Sequence, residues 1–141
     1  MNIIKIFSRY PVYLLVGGGV TLVTVFLRSI IGLIINDQSE AEYIASMIIA
    51  YILGIILSLF AHKSITFKSE DKISVTQTYK FILTHLFGMV GTLIISVKLR
   101  QLILDSLIPV DFSKTIAFAI AAFIISLITY IIKKYLVFSH K

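Results

Sequence analysis

The sequence predicts an all-α integral membrane protein of four transmembrane helices, arranged as two tandem helical hairpins with both chain ends in the cytoplasm. Three observations carry this. Of the 141 residues, 58% are hydrophobic and only 14% are charged, whereas soluble domains hold about 25% charged residues. Four apolar stretches, Val12 to Ile35, Ala41 to Ala61, Phe81 to Leu104 and Ser113 to Ile132, each reach the roughly 20 residues a helix needs to cross a bilayer. The basic residues lie on one side of these stretches: Lys5 and Arg9 before the first, Lys63, Lys68, Lys72 and Lys80 between the second and third, Lys133, Lys134 and Lys141 after the fourth. The two intervening turns hold Asp37, Glu40, Glu42, Asp105 and Asp111 against only Lys114, and the positive-inside rule then places these acidic turns outside.

The net charge of +6 is thus explained by topology and gives no reason to expect a nucleic-acid partner. There is no cysteine, which excludes disulfides, thiolate metal sites and cysteine nucleophiles. A single membrane domain over residues 1–141 is expected, with repeat 1 at about 7–67, a cytoplasmic loop at about 68–78 and repeat 2 at about 79–138. What lies between the spans is too short to fold as a soluble catalytic domain.

Residues Asn2 to Arg9 mix Ile and Phe with Lys5 and Arg9, which suits an interfacial segment. Pro11 is then expected in the first turn of helix one. That span is too long for a signal-peptide core and no small-residue cleavage site follows it, so it reads as a permanent helix. Tyr13, Gly17, Thr21, Thr24, Arg28 and Gly32 fall within an arc of roughly 100° on an α-helix, a polar and small-residue stripe opposite a lipid-facing side. The helix breaks at Asn36-Asp37, and Ser39-x-x-Glu42 is a capping box that starts helix two.

Helix two passes Tyr51, Gly54 and Ser58 and ends at His62-Lys63; Ile65-Thr66-Phe67 is expected along the membrane surface, followed by the polar run KSEDK as a loop. Ser74-x-x-Gln77 has the pattern to cap helix three, which carries Thr84, His85, Gly88, Gly91, Thr92, Ser96, Lys98 and Arg100. Pro109 closes the second turn, and Asp111 or Ser113 is placed to cap helix four, which ends through Ser126, Thr129 and Tyr130 at Lys133-Lys134.

The halves resemble each other. A shift of 71 lays His62 to Phe67 on Lys133 to Phe138 and Ser58 on Thr129; a shift of 72 lays Gly19 on Gly91, Leu27 on Leu99 and Arg28 on Arg100. Two spans per unit make this a parallel repeat about an axis along the membrane normal.

Two basic constellations stand out. Arg28, Lys98 and Arg100 lie toward the outer leaflet, Arg28 and Lys98 about 25 Å across a core of about 30 Å. An arginine at a helix centre costs about 2.5–3.5 kcal/mol on the insertion scale. Apart from Glu42 at the outer end of the second stretch, no acidic residue lies within a span to neutralise these cations, so an anionic ligand is a natural partner, and guanidinium suits phosphate. For Lys98 and Arg100, snorkelling into the headgroups is an equal reading. His62, Lys63, Lys133 and Lys134 form the inner constellation, read either as topology anchors or as an inner lipid-phosphate site.

Thr21, Thr24, Ser58, Thr92, Ser96 and Thr129 supply a polar path between the two. Gly17, Gly18, Gly19, Gly88 and Gly91 are expected to let helices approach closely or to edge a groove for a lipid chain. There is no nucleotide loop, no paired intramembrane carboxylate and no Ser/His/Asp set, and lone His85 has no metal-ligand spacing. Neither catalysis, a cofactor nor a metal is expected. A small drug-type exporter is disfavoured, because no membrane carboxylate is available for a cationic substrate.

A basic, aromatic N-terminus leading to YLLVGGGVTL, four spans, and the endings HKSITF and KKYLVF of helices two and four resemble the GtrA-like family of small bacterial membrane proteins over essentially the whole chain. Where that family carries asparagines, this chain has Ser58, His62, Thr129 and Lys133; Ile65 and Leu136 stand at the tryptophan positions, while Lys63, Lys134, Phe67 and Phe138 are kept. The resemblance implies a multi-pass protein of the bacterial cytoplasmic (inner) membrane. It further implies a flippase or translocation subunit for undecaprenyl-phosphate-linked sugar, serving a membrane glycosyltransferase that decorates surface polysaccharide or teichoic acid. A homo-oligomer or a glycosyltransferase complex is expected. The alternative is a non-transporting accessory subunit of such a complex.

Overall fold

In a computed structural model, residues 3–61, 64–65 and 75–136 are described. They form α1 (Ile3–Ile35), α2 (Glu40–Ala61), α3 (Val75–Leu99), a π-helical segment (Arg100–Leu104), the short α4 (Asp105–Leu107) and α5 (Val110–Leu136). Four helical stretches are long and apolar enough to cross a membrane: Leu15–Ile35, Glu40–Ala61, Thr78–Leu107 and Val110–Ile132. The all-α, four-span architecture expected from the sequence is therefore the one observed, with no strand among the described residues.

Local chemistry sets the boundaries. α1 ends where Asn36 takes a positive φ of 56°, a left-handed conformation that asparagine tolerates, and the Asp37 N–H donates back to the Gly32 carbonyl at 3.1 Å. Ser39 and Glu42 form the capping box reciprocally: the Ser39 N–H donates to Glu42 Oε2 at 2.8 Å and the Glu42 N–H to Ser39 Oγ at 3.2 Å.

Three expectations are corrected. α1 begins at Ile3, so the first residues continue the helix and Pro11 lies inside it. α5 begins at Val110, so Asp111 and Ser113 sit in its first turns. Helix three winds as a π-helix over Arg100–Leu104, with the Asp105 N–H donating to the Arg100 carbonyl. Residues five apart lie about 140° apart around an α-helix; i→i+5 winding brings them toward one face. Arg100 and Asp105 thereby pair, Nε to Oδ2 at 3.2 Å. The polar loop KSEDK, Ser74 and Phe138 lie outside the described residues.

α1 packs chiefly on α2, and α3 on α5, with α1 also against α5 and α2 against α3. Glycines divide by role. Gly54 on α2 faces Thr24 of α1, whose Oγ1 would clash with an added Cβ. Gly88 and Gly91 on α3 face Ile125, and Gly88 also Thr129 and Tyr51. Gly17, Gly18 and Gly19 have nothing within 4 Å of an added Cβ among the described residues, so of the two expectations for them close packing is not what is observed, while Gly19 does line a groove. Gly54→Ala is accordingly expected to destabilise the protein by about 1–3 kcal/mol through overpacking. Gly18→Ala is expected to be neutral or to stabilise it by up to about 1 kcal/mol through helix propensity. Thermal unfolding of the detergent-purified variants checks the contrast.

Candidate functional site: a buried charge cluster between the two hairpins

The polar stripe of α1 turns inward only in its later half. Thr24 and Arg28 are buried at 7% and 2% exposure, and Gly32 packs against Asp37 and the Arg28 guanidinium. Arg28 reaches the turn that follows its own helix, where Nη2 donates to Asp37 Oδ2. Its Nη1 donates to Thr115 Oγ1 of α5 at 3.3 Å.

Lys114, also on α5 and 2% exposed, meets the same carboxylate from the other hairpin. Its Nζ lies 3.1 Å from Asp37 Oδ1 and donates to the Asp37 carbonyl. Ser46 of α2 adds a hydroxyl to Asp37 Oδ2 at 3.3 Å. One carboxylate therefore gathers a guanidinium, an ammonium and a hydroxyl from three helices.

Tyr43 of α2, fully buried, is the hub beside this cluster. The guanidinium carbons of Arg28 and Arg100 both lie 4.7 Å from its ring centroid, within cation–π range. Its hydroxyl shares a 2.6 Å hydrogen bond with Ser96 of α3 and donates to the Lys114 carbonyl at 3.1 Å. Every long helix thus contributes to one polar knot at the end of the bundle that carries both hairpin turns.

A related pattern recurs in the second half, where Arg100 pairs with Asp105 and Ser113 Oγ donates to Asp105 Oδ1. It parallels Arg28, Asp37 and Ser46. The first carboxylate is deeply enclosed, with 10% of its side chain exposed against 28% for Asp105.

Formal charge is not balanced in the inner part of the knot. Arg28 and Lys114 contribute two positive charges and Asp37 one negative; the nearby Asp111 carboxylate, 3.9 Å from Lys114 Nζ, is 87% exposed and screened by solvent. Arg28 Nε is buried with no hydrogen-bond partner among the described residues, and Arg100 Nε makes no aligned hydrogen bond despite its proximity to Asp105. Buried donors left unmade are costly, so the knot has unused capacity for an anion.

The other sequence-predicted residues are distributed as follows. Lys98 is exposed at the end of α3, apart from the knot. Ser96 joins it through Tyr43, while Thr92 is buried and donates to the Gly88 carbonyl at 2.9 Å. Thr21, Thr24 and Thr129 likewise donate to carbonyls one turn earlier in their own helices, and Ser58 is buried. Most of the path hydroxyls are thus satisfied locally. His62 and Lys63, and the side chains of Lys133 and Lys134, lie outside the described residues.

An apolar groove of about 470 Å³ opens between α1 and α2, with Val16, Gly19, Val23, Leu57 and Ile65 among its lining residues. Among the described residues no group of three His, Cys, Asp or Glu comes together in a way that would hold a metal ion.

Sequence reasoning found Arg28 and Arg100 but missed Asp37, Lys114 and Tyr43. The available signal was Lys114 itself, the one cation in an otherwise acidic pair of turns.

Four apolar spans closed at one end by a buried, cation-rich knot define a polytopic membrane protein with an anion-compatible site. The chain matches the family model for the GtrA/DPMS transmembrane domain over residues 12–138 and belongs to that family. No curated protein and no solved structure matches it.

Proposed function

We propose that the protein is a flippase or translocation subunit for undecaprenyl-phosphate-linked sugar across the bacterial cytoplasmic membrane, supplying extracytoplasmic glycosylation of surface polysaccharide or teichoic acid. The observation that carries this reading is the buried pair of cations Arg28 and Lys114, which share the one buried carboxylate of Asp37, with Arg100 beside them on the Tyr43 ring. Family membership supports the substrate class, and the guanidinium fork matches the geometry of phosphate oxygens as it does that of a carboxylate.

In this mechanism the lipid phosphate first meets the inner basic residues His62, Lys63, Lys133 and Lys134. It is then received near the outer leaflet by Arg28 and Arg100, with Lys98 at the rim. Thr21, Thr24, Ser58, Thr92, Ser96 and Thr129 offer the sugar hydrogen bonds when their helices part, since the four threonine hydroxyls can each exchange a carbonyl one turn away for a ligand at little cost. The protein binds and conducts and performs no catalysis. Net movement follows the substrate gradient, and consumption of the sugar by a membrane glycosyltransferase outside gives it direction.

A second reading, a non-transporting subunit of a glycosyltransferase complex or a homo-oligomer, is favoured by one observation. A Cβ added at Gly17, Gly18 or Gly19 of α1 would meet nothing within 4 Å among the described residues, and small-residue faces let membrane helices approach closely.

Reconstitution separates the two. Proteoliposomes of the purified protein should move a labelled polyprenyl-phosphoryl sugar between leaflets at least about tenfold faster than protein-free vesicles, a lowering of the barrier by about 1.4 kcal/mol or more. A rate equal to that of protein-free vesicles would leave only the accessory role.

A further inference from the structure

We infer that the Asp37 carboxylate is an exchangeable stand-in for the ligand's phosphate. The phosphodiester of the incoming lipid takes the cation pair of Arg28 and Lys114, and the Asn36–Gln38 turn is released as Asp37 leaves. This rests on the reading of the knot as a lipid-phosphate station and adds Lys114 and Asp37 to it.

The geometry supports an exchange over a fixed structural bridge. Asp37 lies on the turn after α1 and not within a helix; its neighbours Asn36 and Gln38 are exposed, so the carboxylate is one residue from the surface at the end of the bundle that carries the hairpin turns. Its hold on the site comes mostly through the two cations, Arg28 to the side chain and Lys114 to both the side chain and the backbone carbonyl. Each cation belongs to a different hairpin, so whichever anion sits between them joins the two halves.

A carboxylate fills this position incompletely. The Arg28 side chain is 3% exposed, yet its Nε has no partner among the described residues. A phosphodiester presents two non-bridging oxygens as a carboxylate does, and adds ester oxygens with which to reach a further donor.

Charge favours a diester over a monoester. After the swap Asp37 stays tethered close by, so one phosphodiester charge plus the Asp37 charge balances Arg28 and Lys114. A dianionic monoester would overshoot that balance by one negative charge in a poorly solvated place. Transfer from Asp37 to phosphate also keeps the two cations paired throughout, which avoids the cost of exposing either to an apolar surrounding.

The test uses the full chain purified in detergent, with nerylphosphoryl-glucose as diester probe, neryl phosphate as monoester and inorganic phosphate as the lipid-free arm. Asp37→Asn should bind the diester about tenfold more tightly than the wild type, and the diester should raise its unfolding temperature more than it raises that of the wild type, because the ligand replaces the missing anion. In the wild type, hydrogen–deuterium exchange of the amides of residues 36–38 should accelerate when the diester binds. This readout decides the matter if Asp37→Asn does not fold.

Diester binding by the wild type with no tightening in Asp37→Asn and no change in turn exchange would overturn the exchange and leave the phosphate station standing. Tighter binding of the monoester than of the diester by the wild type would overturn the diester assignment, and equal binding of inorganic phosphate by the wild type would overturn the lipid headgroup. No binding of any probe by either protein would remove the station and the exchange together.

Discussion

Asp37→Ala is expected to lower the stability of the detergent-purified protein by about 3–5 kcal/mol, the range for removing one partner of a buried ion pair, and to do so by clearly more than Arg28→Ala. The asymmetry follows from charge. Asp37 serves two buried cations at once, Arg28 and Lys114, with side chains 3% and 2% exposed; without it both are left without a buried counter-charge, Arg28 beside a Tyr43 ring that already carries Arg100. Removing Arg28 leaves Asp37 still paired with Lys114 and still accepting from Ser46, a neutral arrangement that costs about 1–3 kcal/mol in lost hydrogen bonds and packing. Unfolding of the two variants beside the wild type, followed by circular dichroism in one detergent, reads the order directly. Equal losses, or a larger loss for Arg28→Ala, would show that Asp37 does not hold the two hairpins together.

That two buried cations from different hairpins meet on Asp37 could not be read along the chain. Arg28 was conspicuous because a charge inside a span is expensive and because it falls on a stripe with Thr24 and Gly32, and the four spans themselves follow from hydropathy alone. Asp37 carries no such anomaly: a carboxylate in an outer turn is what charge asymmetry expects, so its folding back beneath α1 is a tertiary event. Lys114 was visible only as an exception among acidic turns. Tyr43, one turn into α2, belongs to no sequence pattern that marks it, yet its ring and hydroxyl together touch residues of α1, α3, the π-helical segment and α5.

The π-helical winding at Arg100–Leu104 had no signal either, since no glycine or proline marks it. The pairing of Arg100 with Asp105 across five residues fits that winding, and sequence periodicity assumes the α-helical 3.6 throughout. Glycines mislead for a related reason. The conspicuous triplet at Gly17 is open, while the isolated Gly54 makes the tight contact with Thr24; a run of small residues states that close approach is permitted, not that this chain uses it.

The separation of holding from conducting gives the second large expectation, in transport. Arg28→Ala should slow translocation of the sugar lipid in proteoliposomes by about 10- to 100-fold, since hydrogen bonds from a charged donor are worth about 1.5–3 kcal/mol and each 1.36 kcal/mol is tenfold in rate. Arg28→Lys should fall between the variant and the wild type, because an ammonium keeps the charge and loses the planar fork that grips two phosphate oxygens. Leu22→Ala, at a lipid-facing position 73% exposed on the same helix, controls for reconstitution and should stay within about twofold, as exposed substitutions have small effects. Rates are to be normalised to folded protein recovered from the vesicles, so that the modest stability loss of Arg28→Ala does not masquerade as a transport defect. If Arg28→Ala moves the lipid at the wild-type rate, the guanidinium serves only to join the hairpins, and the phosphate station has to be sought at the inner basic residues instead.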